Sequence, residues 1–558
     1  MSKDEALPGP SIEEATRQLL AHGSPFELVE EKVLGETMDV YKTRVRSLRE
    51  LLANSAVHGD KEYLVFSDGR RWSYAEHLRD VASVAAALRA RHDIQPGDHV
   101  AILAANRPEW ILSYWATVSL GAVVIALNAW WTAEEIRFAL DLSNPKLILA
   151  DRRRIDGPEG LAGLQPDGPV LCFEDDFESL RSHDWTAGLP TNPIDEDDPA
   201  LLLFTSGTTG RAKAALVSHR TLIGFVMSSF FIGALRSMTE PQLGSPAGAI
   251  LAPFPLFHLS GTMGSTTATL AGGAKTVWPM GRFDPAKVIA LSRAENVTSW
   301  NGAATHLFRL LDDPEIERLD TGKFTSVGIG GSATTPELLR AVEQRFPHLA
   351  DSLGSGYGST ETGGLVSYAN RAMLRETENC VGPPLPTVQV KIVDEAGQTL
   401  PEAQNGRICV RSPLVMLGYL NDPDANADSM LPGRWVDSGD LGRLRDGRLY
   451  LESRMRDLII RGGENIYPPE IENRIELHPE VAEVAVFGVD DRELGQRVKA
   501  VVVPMPGRAP SEEAIRRHAA ASLAYFKVPE FIEIRTEPLP RNASGKVMKH
   551  RLRNCGGQ

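Results

Sequence analysis

The stretch of the sequence best suited to chemistry is a loop of hydroxyls, glycines and cations. It contains Thr205, Ser206, Gly207, Thr208, Thr209, Gly210, Arg211 and Lys213. Glycines let backbone N–H groups approach an anion closely, hydroxyls donate hydrogen bonds, and cations offset negative charge. Apolar residues at 200–204 and 214–217 predict one buried strand before the loop and another after it. The loop is therefore a candidate polyphosphate site between two strands.

This loop differs from the Walker A type of phosphate-binding loop. Walker A loops space their glycines more widely and place a lysine directly after the second one. Here Gly207 and Gly210 stand closer together and Arg211 follows. Taken alone, the loop fits a flexible Ser/Thr/Gly turn equally well, so residues elsewhere in the chain must decide between the two interpretations.

The composition predicts a soluble protein of more than one domain. A chain of 558 residues is too long for one ordinary core. The formal net charge of -14 argues against nucleic acid or an anionic membrane as the main partner. The four cysteines form no closely spaced pair, which favours a reducing cytoplasm over a disulfide framework or zinc site. The N-terminus lacks a signal peptide's apolar core, and no run approaches the roughly 20 apolar residues of a membrane span.

Strand-like and helix-like stretches alternate after the first 50 residues. Capping boxes at Ser73–Glu76 and Thr132–Glu135 predict two helix starts, and Pro108–Leu120 has the pattern of another helix. Apolar runs predict buried strands at 100–104, 122–127 and 147–150. This alternation predicts a doubly wound α/β sheet, in which ligands gather at the carboxyl ends of the strands. Residues 1–50 are polar and helix-prone.

A histidine and two runs of small residues follow the loop, near further predicted strand ends. Phe257 and His258 belong to a Pro-Leu-Phe-His stretch, where a histidine packed among core aromatics is the ordinary interpretation. The small residues at 300–304 and 328–333 predict either tight turns or space for a ligand.

Later segments carry groups that suit a nucleotide. Glu361 offers a hard oxygen ligand, and Mg²⁺ on nucleotide phosphates needs only one or two carboxylates. In the same segment Tyr357 can stack against adenine and Thr360 can donate to a phosphate. Asp440 can accept two hydrogen bonds from a ribose diol. Lys546 alone, beside a glycine near the end of the chain, has the pattern of a solvated residue.

Taken in order, these motifs resemble the signatures of the adenylate-forming (ANL) superfamily of acyl-CoA synthetases, peptide-synthetase adenylation domains and luciferases. Five motifs occur in the expected order from Thr205 to Lys546, and the resemblance extends from about Ser73 onward. The chain departs from the pattern at 211–214, where Arg-Ala-Lys-Ala replaces Lys-Pro-Lys-Gly. It also departs at 304–305, where Ala-Thr replaces Pro-Thr, and at Arg456, which takes a Lys/Asp position.

The resemblance implies functions for the candidate residues. It implies ATP or AMP binding by Thr205, Ser206, Gly207, Thr208, Thr209, Gly210, Lys213, Ser332, Ala333, Gly356, Tyr357, Gly358, Asp440 and Arg454. It implies an acyl pocket formed by Phe257, His258, Gly302, Gly330, Gly331 and Gly363, and a CoA tunnel at Gly462 and Gly463. It implies catalysis by Lys546, Glu361, Thr360 and His258, with Glu361 as the metal ligand and Arg456 as the hinge.

The resemblance also implies a fold and a reaction. The fold is α/β, with a large N-terminal domain of several subdomains and doubly wound sheets at 1–455 and a small mobile α+β domain at 456–558. The reaction is that of an ATP-dependent acyl-CoA ligase, which activates a fatty or related hydrophobic acid as acyl-AMP and then forms the thioester. ATP, Mg²⁺, coenzyme A and the carboxylic acid are the expected partners, with no nucleic acid and no integral membrane segment. The sequence leaves both a monomer and a homodimer open.

Two other functions remain open at this point. A free-standing adenylation enzyme that loads a carrier protein would use the same motifs but would not depend on coenzyme A. A phosphate-loop ATPase or kinase would release ADP instead of AMP, and it would leave Glu361, Asp440 and Lys546 without a function.

Overall fold

The computed structural model describes residues 10–157, 160–206, 212–240, 248–281, 283–302, 304–329, 336–349, 353–376, 379–454, 457–461, 464–491, 494–542 and 545–554. The N-terminal segment contains α1 (Ile12–Leu19), β1 (Leu28–Val33), β2 (Glu36–Tyr41) and α2 (Leu48–Asn54). β1 and β2 form an antiparallel hairpin. This hairpin corrects the helical expectation for residues 1–50. Leu34 and Gly35 both take positive φ at its turn, as tight hairpin turns require.

Strands and helices alternate up to the predicted phosphate loop. The elements are β3 (Glu62–Phe66), β4 (Arg71–Ser73), α3 (Tyr74–His92), β5 (His99–Leu103), α4 (Pro108–Ser119), β6 (Val123–Leu127), α5 (Ala133–Ser143), β7 (Leu147–Ala150), α6 (Arg152–Asp156), β8 (Val170–Cys172), α7 (Phe177–Arg181) and β9 (Pro199–Ser206). Ser73 and Thr132 both form the predicted capping boxes, at the starts of α3 and α5. The predicted alternation is confirmed.

The middle of the chain continues the alternation. Its elements are β10 (Ala212–Ser218), α8 (His219–Thr239), β11 (Ala249–Leu251), α9 (Thr269–Ala271), β12 (Lys275–Trp278), α10 (Pro285–Ala294), β13 (Val297–Gly302), α11 (Ala304–Leu311), β14 (Ser326–Ile329), α12 (Pro336–Arg345), β15 (Gly354–Tyr357), β16 (Ser367–Asn370) and α13 (Arg371–Glu376). A stretch of π-helix, Ser260–Ala268, precedes α9.

The remaining elements are mostly strands. They are β17 (Cys380–Gly382), β18 (Gln389–Val393), β19 (Gly406–Arg411), β20 (Gly418–Tyr419), α14 (Pro423–Ser429), β21 (Met430–Leu431), β22 (Trp435–Arg445), β23 (Arg448–Arg454), β24 (Ile459–Arg461), β25 (Glu464–Ile466), α15 (Pro468–Glu476), β26 (Val481–Asp491), β27 (Gly495–Pro504), α16 (Glu512–Ala520), β28 (Phe531–Ile534) and α17 (Lys549–Asn554).

The described strands form two large α/β sheets. The first has the order β20-β10-β9-β6-β5-β7-β8, and the second has the order β16-β15-β14-β13-β11-β12-β3-β4. In the first, β9, β6, β5, β7 and β8 are parallel, while β10 and β20 add antiparallel strands at one edge. In the second, the strands from β3 to β15 are parallel, with β4 and β16 antiparallel at the edges. The α/β fold class is confirmed.

The two large sheets share one core. Val100 and Ile102 on β5, and Leu64 and Phe66 on β3, face a cluster that also contains residues of α3 and α4. Adjacent positions on the same strands face the opposite side, against α5 and α10. α3 and α4 are therefore sandwiched between the sheets.

Two smaller sheets follow, and the second belongs to a separate domain. Among the described residues, one has the order β17-β23-β22-β19-β18 and the other has the order β25-β24-β27-β26, with β28 beside β27. Among the described residues, no hydrophobic cluster combines residues from both domains. Each cluster contains only residues up to Leu451 or only residues from Ile459 onward. The large and small domains thus have separate cores. The predicted boundary at 455/456 falls on residues outside the described ones.

Helix α8 is long and apolar, although the sequence predicts no membrane span. Among the described residues, it is the one helix long and apolar enough to cross a membrane by length and composition, with a mean hydropathy of 1.5. In this structure 44% of its most apolar window is buried. Leu222 and Val226 pack in the core between the sheets, whereas Phe231 and Leu235 pack in the cluster against the third sheet. Contact with two cores explains the apolar composition of α8.

Candidate functional site

The carboxyl ends of adjacent parallel strands bring several of the predicted site residues to one edge of the second sheet. Strands β11, β13, β14 and β15 lie side by side, and Gly302, Ile329 and Ser355 are neighbours in the β13–β14–β15 register. The segments leading to His258 and Glu361 therefore start from the same edge. This is where a doubly wound sheet places a ligand.

The predicted phosphate loop connects β9 to β10, and these two strands pair antiparallel. Thr205 and Lys213 are cross-strand partners at the base of the loop, so the predicted arrangement of two strands around the loop is confirmed. Four of the predicted ATP-binding residues in the loop lie outside the described residues, namely Gly207, Thr208, Thr209 and Gly210. The side chain of Ser206 also lies outside them.

Glu361 is held from the segment that contains β20. The hydroxyl of Tyr419 donates to Oε1 of Glu361 at 3.1 Å, and the backbone N–H of Met416 donates to the Glu361 carbonyl at 3.0 Å. Thr360 and Glu361 are both half-buried. A single carboxylate fits Mg²⁺ that arrives on nucleotide phosphates, because such sites use few protein ligands. Among the described residues, no cluster of three His, Cys, Asp or Glu side chains could hold a metal ion by itself.

Tyr357 and Asp440 form a second fixed pair. The Tyr357 hydroxyl donates to Oδ2 of Asp440 at 2.8 Å, and the backbone N–H of Asp440 donates to Ser438 Oγ at 3.2 Å. Asp440 lies on β22, opposite Arg454 on β23. The side chain of Arg454 lies outside the described residues. The bond to Tyr357 fixes the orientation of the Asp440 carboxylate.

His258 is fixed by a loop that both large sheets hold. Asn106, just beyond β5, donates to the Phe254 carbonyl and accepts from the Leu256 N–H, each at 2.8 Å. The His258 ring lies 4.9 Å from the ring of Phe257. Burial and the nearby Lys546 ammonium lower the pKa of His258 to about 4, so the imidazole is neutral at physiological pH.

Lys546 comes from the small domain, and its ammonium lowers the pKa of the His258 ring in the large domain. Its loop is closed by two bonds with Asn542. The Lys546 N–H donates to Asn542 Oδ1, and the Lys546 carbonyl accepts from the Asn542 N–H, both at 2.9 Å. A residue 288 positions away in the sequence thus acts on the His258 ring.

The two described pocket glycines allow close packing of the protein on itself. A Cβ at Gly302 would lie 3.3 Å from Cβ of His306 on α11. Gly363 has a φ of +80°, and its Cβ would lie 2.3 Å from the Leu414 carbonyl oxygen. The space opened by each missing side chain is therefore occupied by protein, and their part in an acyl pocket stays a prediction. Phe257, also predicted there, is buried.

Seven further predicted site residues lie outside the described residues. They are Gly330, Gly331, Ser332, Ala333, Arg456, Gly462 and Gly463. Gly356 and Gly358 are described, at the end of β15 and just beyond it. A cavity of about 390 Å³ between α1 and the last turns of α8 contains none of the predicted acyl-pocket residues.

Sequence reasoning missed two residues near the site. Tyr419 contacts Glu361, and its short strand has no periodic pattern that could have marked it. His306 stacks on Phe283 with ring centroids 4.4 Å apart, and burial lowers its pKa to about 4. His306 follows shortly after Gly302 in the sequence, and this proximity to a predicted pocket residue could have identified it.

Comparison with known proteins gives consistent matches. Residues 51–420 match the AMP-binding enzyme family, and residues 470–546 match the AMP-binding enzyme C-terminal domain. A feruloyl-CoA synthase of Amycolatopsis sp is 31% identical over 494 residues, covering 88% of this chain and 95% of that protein. The fatty acid–[acyl-carrier-protein] ligase ScoC of Streptomyces coeruleorubidus is 28% identical, covering 92% and 97%. ATP-bound MatB from Rhodopseudomonas palustris has a TM-score of 0.79 at 28% identity, covering 91% and 98%.

Proposed function

The chain belongs to the AMP-binding enzyme family, and we propose that it is an acyl-CoA ligase that works through an acyl-adenylate. Its substrates are ATP, coenzyme A and a carboxylic acid, which we take to be a hydrophobic one. The observation that carries the proposal is the position of Lys546. Its ammonium lowers the pKa of the His258 ring, and His258 follows the same strand ends from which the Glu361 segment starts.

In the first half-reaction a carboxylate oxygen of the acid attacks the α-phosphorus of ATP. The bond between that phosphorus and its bridging oxygen breaks, and pyrophosphate leaves. Two anions approach each other in this step, so the ammonium of Lys546 stabilises the developing charge and helps to align the reactants. Lys213 and the loop hydroxyls bind the phosphates, Asp440 accepts from the ribose, and Tyr357 stacks on adenine. Mg²⁺ held by Glu361 would neutralise phosphate charge.

In the second half-reaction the thiol sulfur of coenzyme A attacks the acyl carbon, the bond from that carbon to the AMP oxygen breaks, and AMP leaves. The thiol proton goes to solvent. We assign residues 1–455 and 456–558 to two domains that rotate about Arg456 between the steps. The separate cores of the two domains support this assignment, since rotation then breaks no shared core. Gly462 and Gly463 would line the pantetheine tunnel, and Gly463→Leu is expected to slow thioester formation while sparing pyrophosphate release.

A carrier protein is the second candidate for the thiol. The similarity to the acyl-carrier-protein ligase ScoC favours a carrier protein as this alternative.

We also place the enzyme in a reducing cytoplasm. Cys172, Cys380 and Cys409 are buried and free among the described residues, which supports this location.

Product analysis tests the proposed function. The purified chain is incubated with Mg-ATP and a panel of ferulic, medium-chain and long-chain acids, with and without coenzyme A, and AMP, ADP and pyrophosphate are measured. Acid-dependent release of AMP and pyrophosphate that turns over only with coenzyme A is the expected result. The best acid then identifies the substrate class.

Each other outcome contradicts part of the proposal. ADP as the product would show a kinase or ATPase. Adenylate formation without turnover on coenzyme A, followed by turnover on a phosphopantetheinyl carrier protein, would show the second candidate.

A further inference from the structure

Tyr419 is fixed at the edge of the sheet that carries the phosphate hairpin. It lies on β20, where it is the cross-strand partner of Ala215 on β10. Its N–H donates to Asn426 Oδ1 at 2.7 Å, and its carbonyl accepts from Asn426 Nδ2 at 2.8 Å. The side chain is buried. Its backbone is therefore held from two sides, and its ring has a defined position.

The Tyr419 side chain contacts two groups of the candidate site. Its hydroxyl donates to Glu361 Oε1 at 3.1 Å. The ammonium of Lys213 lies 5.0 Å from the centroid of its ring, within the range of a cation–π contact. One side chain thus links β10 of the β9–β10 hairpin to the predicted metal ligand.

We propose that Tyr419 is a positioning residue, which aims the Glu361 carboxylate and the Lys213 ammonium at the triphosphate of ATP during adenylate formation. The proposal rests on the proposed function. A phenol that donates to one carboxylate oxygen fixes the orientation of the group and leaves the other oxygen for the metal ion. The ring adds an uncharged surface that holds the ammonium without neutralising it.

The segment that carries Tyr419 holds Glu361 at two points. Because Met416 also holds the Glu361 carbonyl at 3.0 Å, the β20 segment fixes both the backbone and the side chain of Glu361.

Two variants separate the hydroxyl from the ring. Tyr419→Phe keeps the ring, and Tyr419→Leu removes both groups. In Tyr419→Phe the Mg²⁺ concentration for half-maximal pyrophosphate release is expected to rise about tenfold, because a hydrogen bond to a charged group is lost. In Tyr419→Leu the KM for ATP is expected to rise by a further factor of about three, because the Lys213 ammonium loses its ring contact.

A control reaction and a control variant exclude general damage. Formation of the thioester from supplied acyl-AMP involves no triphosphate, so its rate is expected to change less than about twofold in both variants. Tyr450→Phe is the matched control, because Tyr450 is also buried and its hydroxyl accepts from Arg445 at 3.3 Å, away from Glu361. It is expected to leave the Mg²⁺ dependence unchanged.

The outcomes distinguish this proposal from the proposed function. If the wild-type chain releases no pyrophosphate with any acid, both fall. If the wild type forms adenylate and Tyr419→Phe has the same Mg²⁺ dependence, only the positioning function falls. Equal losses in both half-reactions would show a structural function for Tyr419 and would overturn the proposal.

Discussion

The large and small domains contribute to the candidate site in different ways. In the large domain, side-chain hydrogen bonds join distant segments, as between Tyr357 and Asp440 at 2.8 Å and between Tyr419 and Glu361 at 3.1 Å. In the small domain, the loop of Lys546 is closed on itself by Asn542, and its ammonium acts on His258 across the domain boundary.

This difference matches the needs of a reaction in two steps. A nucleotide site has to persist through both half-reactions, and a network inside one domain provides that. A cation that serves only adenylate formation has to leave afterwards, and a residue on a domain with its own core can do so without disturbing the network. The predictions below test whether each domain's residues act in the steps that this comparison assigns to them.

Removal of the Lys546 ammonium has the largest expected effect. Lys546→Ala is expected to slow acid-dependent pyrophosphate release by about 100- to 1000-fold, because one preorganised charge at the reacting centre is lost. Conversion of supplied acyl-AMP to the thioester is expected to stay near wild type. Lys549→Ala is the matched control, since Lys549 pairs with Glu472 at 2.8 Å inside the small domain. Equal losses in both half-reactions would contradict the domain rotation.

Loss of the Asp440 carboxylate is expected to impair both half-reactions. Asp440→Ala should raise the KM for ATP and for acyl-AMP by about 10- to 100-fold, because hydrogen bonds to a charged acceptor are lost. Steady-state kinetics of each half-reaction checks this. Asp446→Ala, at the exposed turn between β22 and β23, is the control. An effect on only one half-reaction would contradict the proposal that Asp440 binds the AMP portion of both ATP and acyl-AMP.

A methyl group at Gly363 tests the close packing behind Glu361. Gly363→Ala is expected to lower the free energy of unfolding of the large domain by about 1–3 kcal/mol, because its Cβ would overlap the Leu414 carbonyl. Chemical denaturation monitors the change. Gly264→Ala is the control, since no atom lies within 4 Å of the Cβ that it adds. Equal stability of the two variants would show that residues 361–363 shift freely.

Acid is expected to weaken the large domain through its buried histidines. Burial lowers the pKa of His77 and of His219 to about 3. Because these values lie below the unfolded value of about 6.5, the stabilisation is complete above pH 6.5 and is lost as the pH falls toward 3. Between pH 6.5 and 5.5, each contributes a loss of about 1 kcal/mol, because the unfolded imidazole is only half-protonated at pH 6.5.

Calorimetry at several pH values, with His77→Leu as the test variant, checks this prediction. Among the described residues, neither ring nitrogen of His77 has a hydrogen-bond partner, so the substitution removes only the titration and some packing. The variant is expected to show a shallower dependence of the large-domain transition on pH. An unchanged slope would contradict a buried neutral His77.

Local signals in the sequence were sufficient for much of the fold. Ser73 and Thr132 start helices as their capping boxes predict, and the strand at Leu147–Ala150 has the predicted bounds. These features depend on residues a few positions apart. The hairpin of β1 and β2 was missed because β1 buries only Val33 and carries little apolar alternation.

The sequence by itself determined the order of the motifs and the family they indicate, because both depend on residue types at close spacing. Only the tertiary structure decided which motifs meet. Tyr419 reaches Glu361 because a two-residue strand joins the edge of the β9–β10 hairpin. The Lys546 ammonium acts on the His258 ring from a domain with its own core. Such contacts depend on sheet order and domain placement, which short-range residue patterns do not encode.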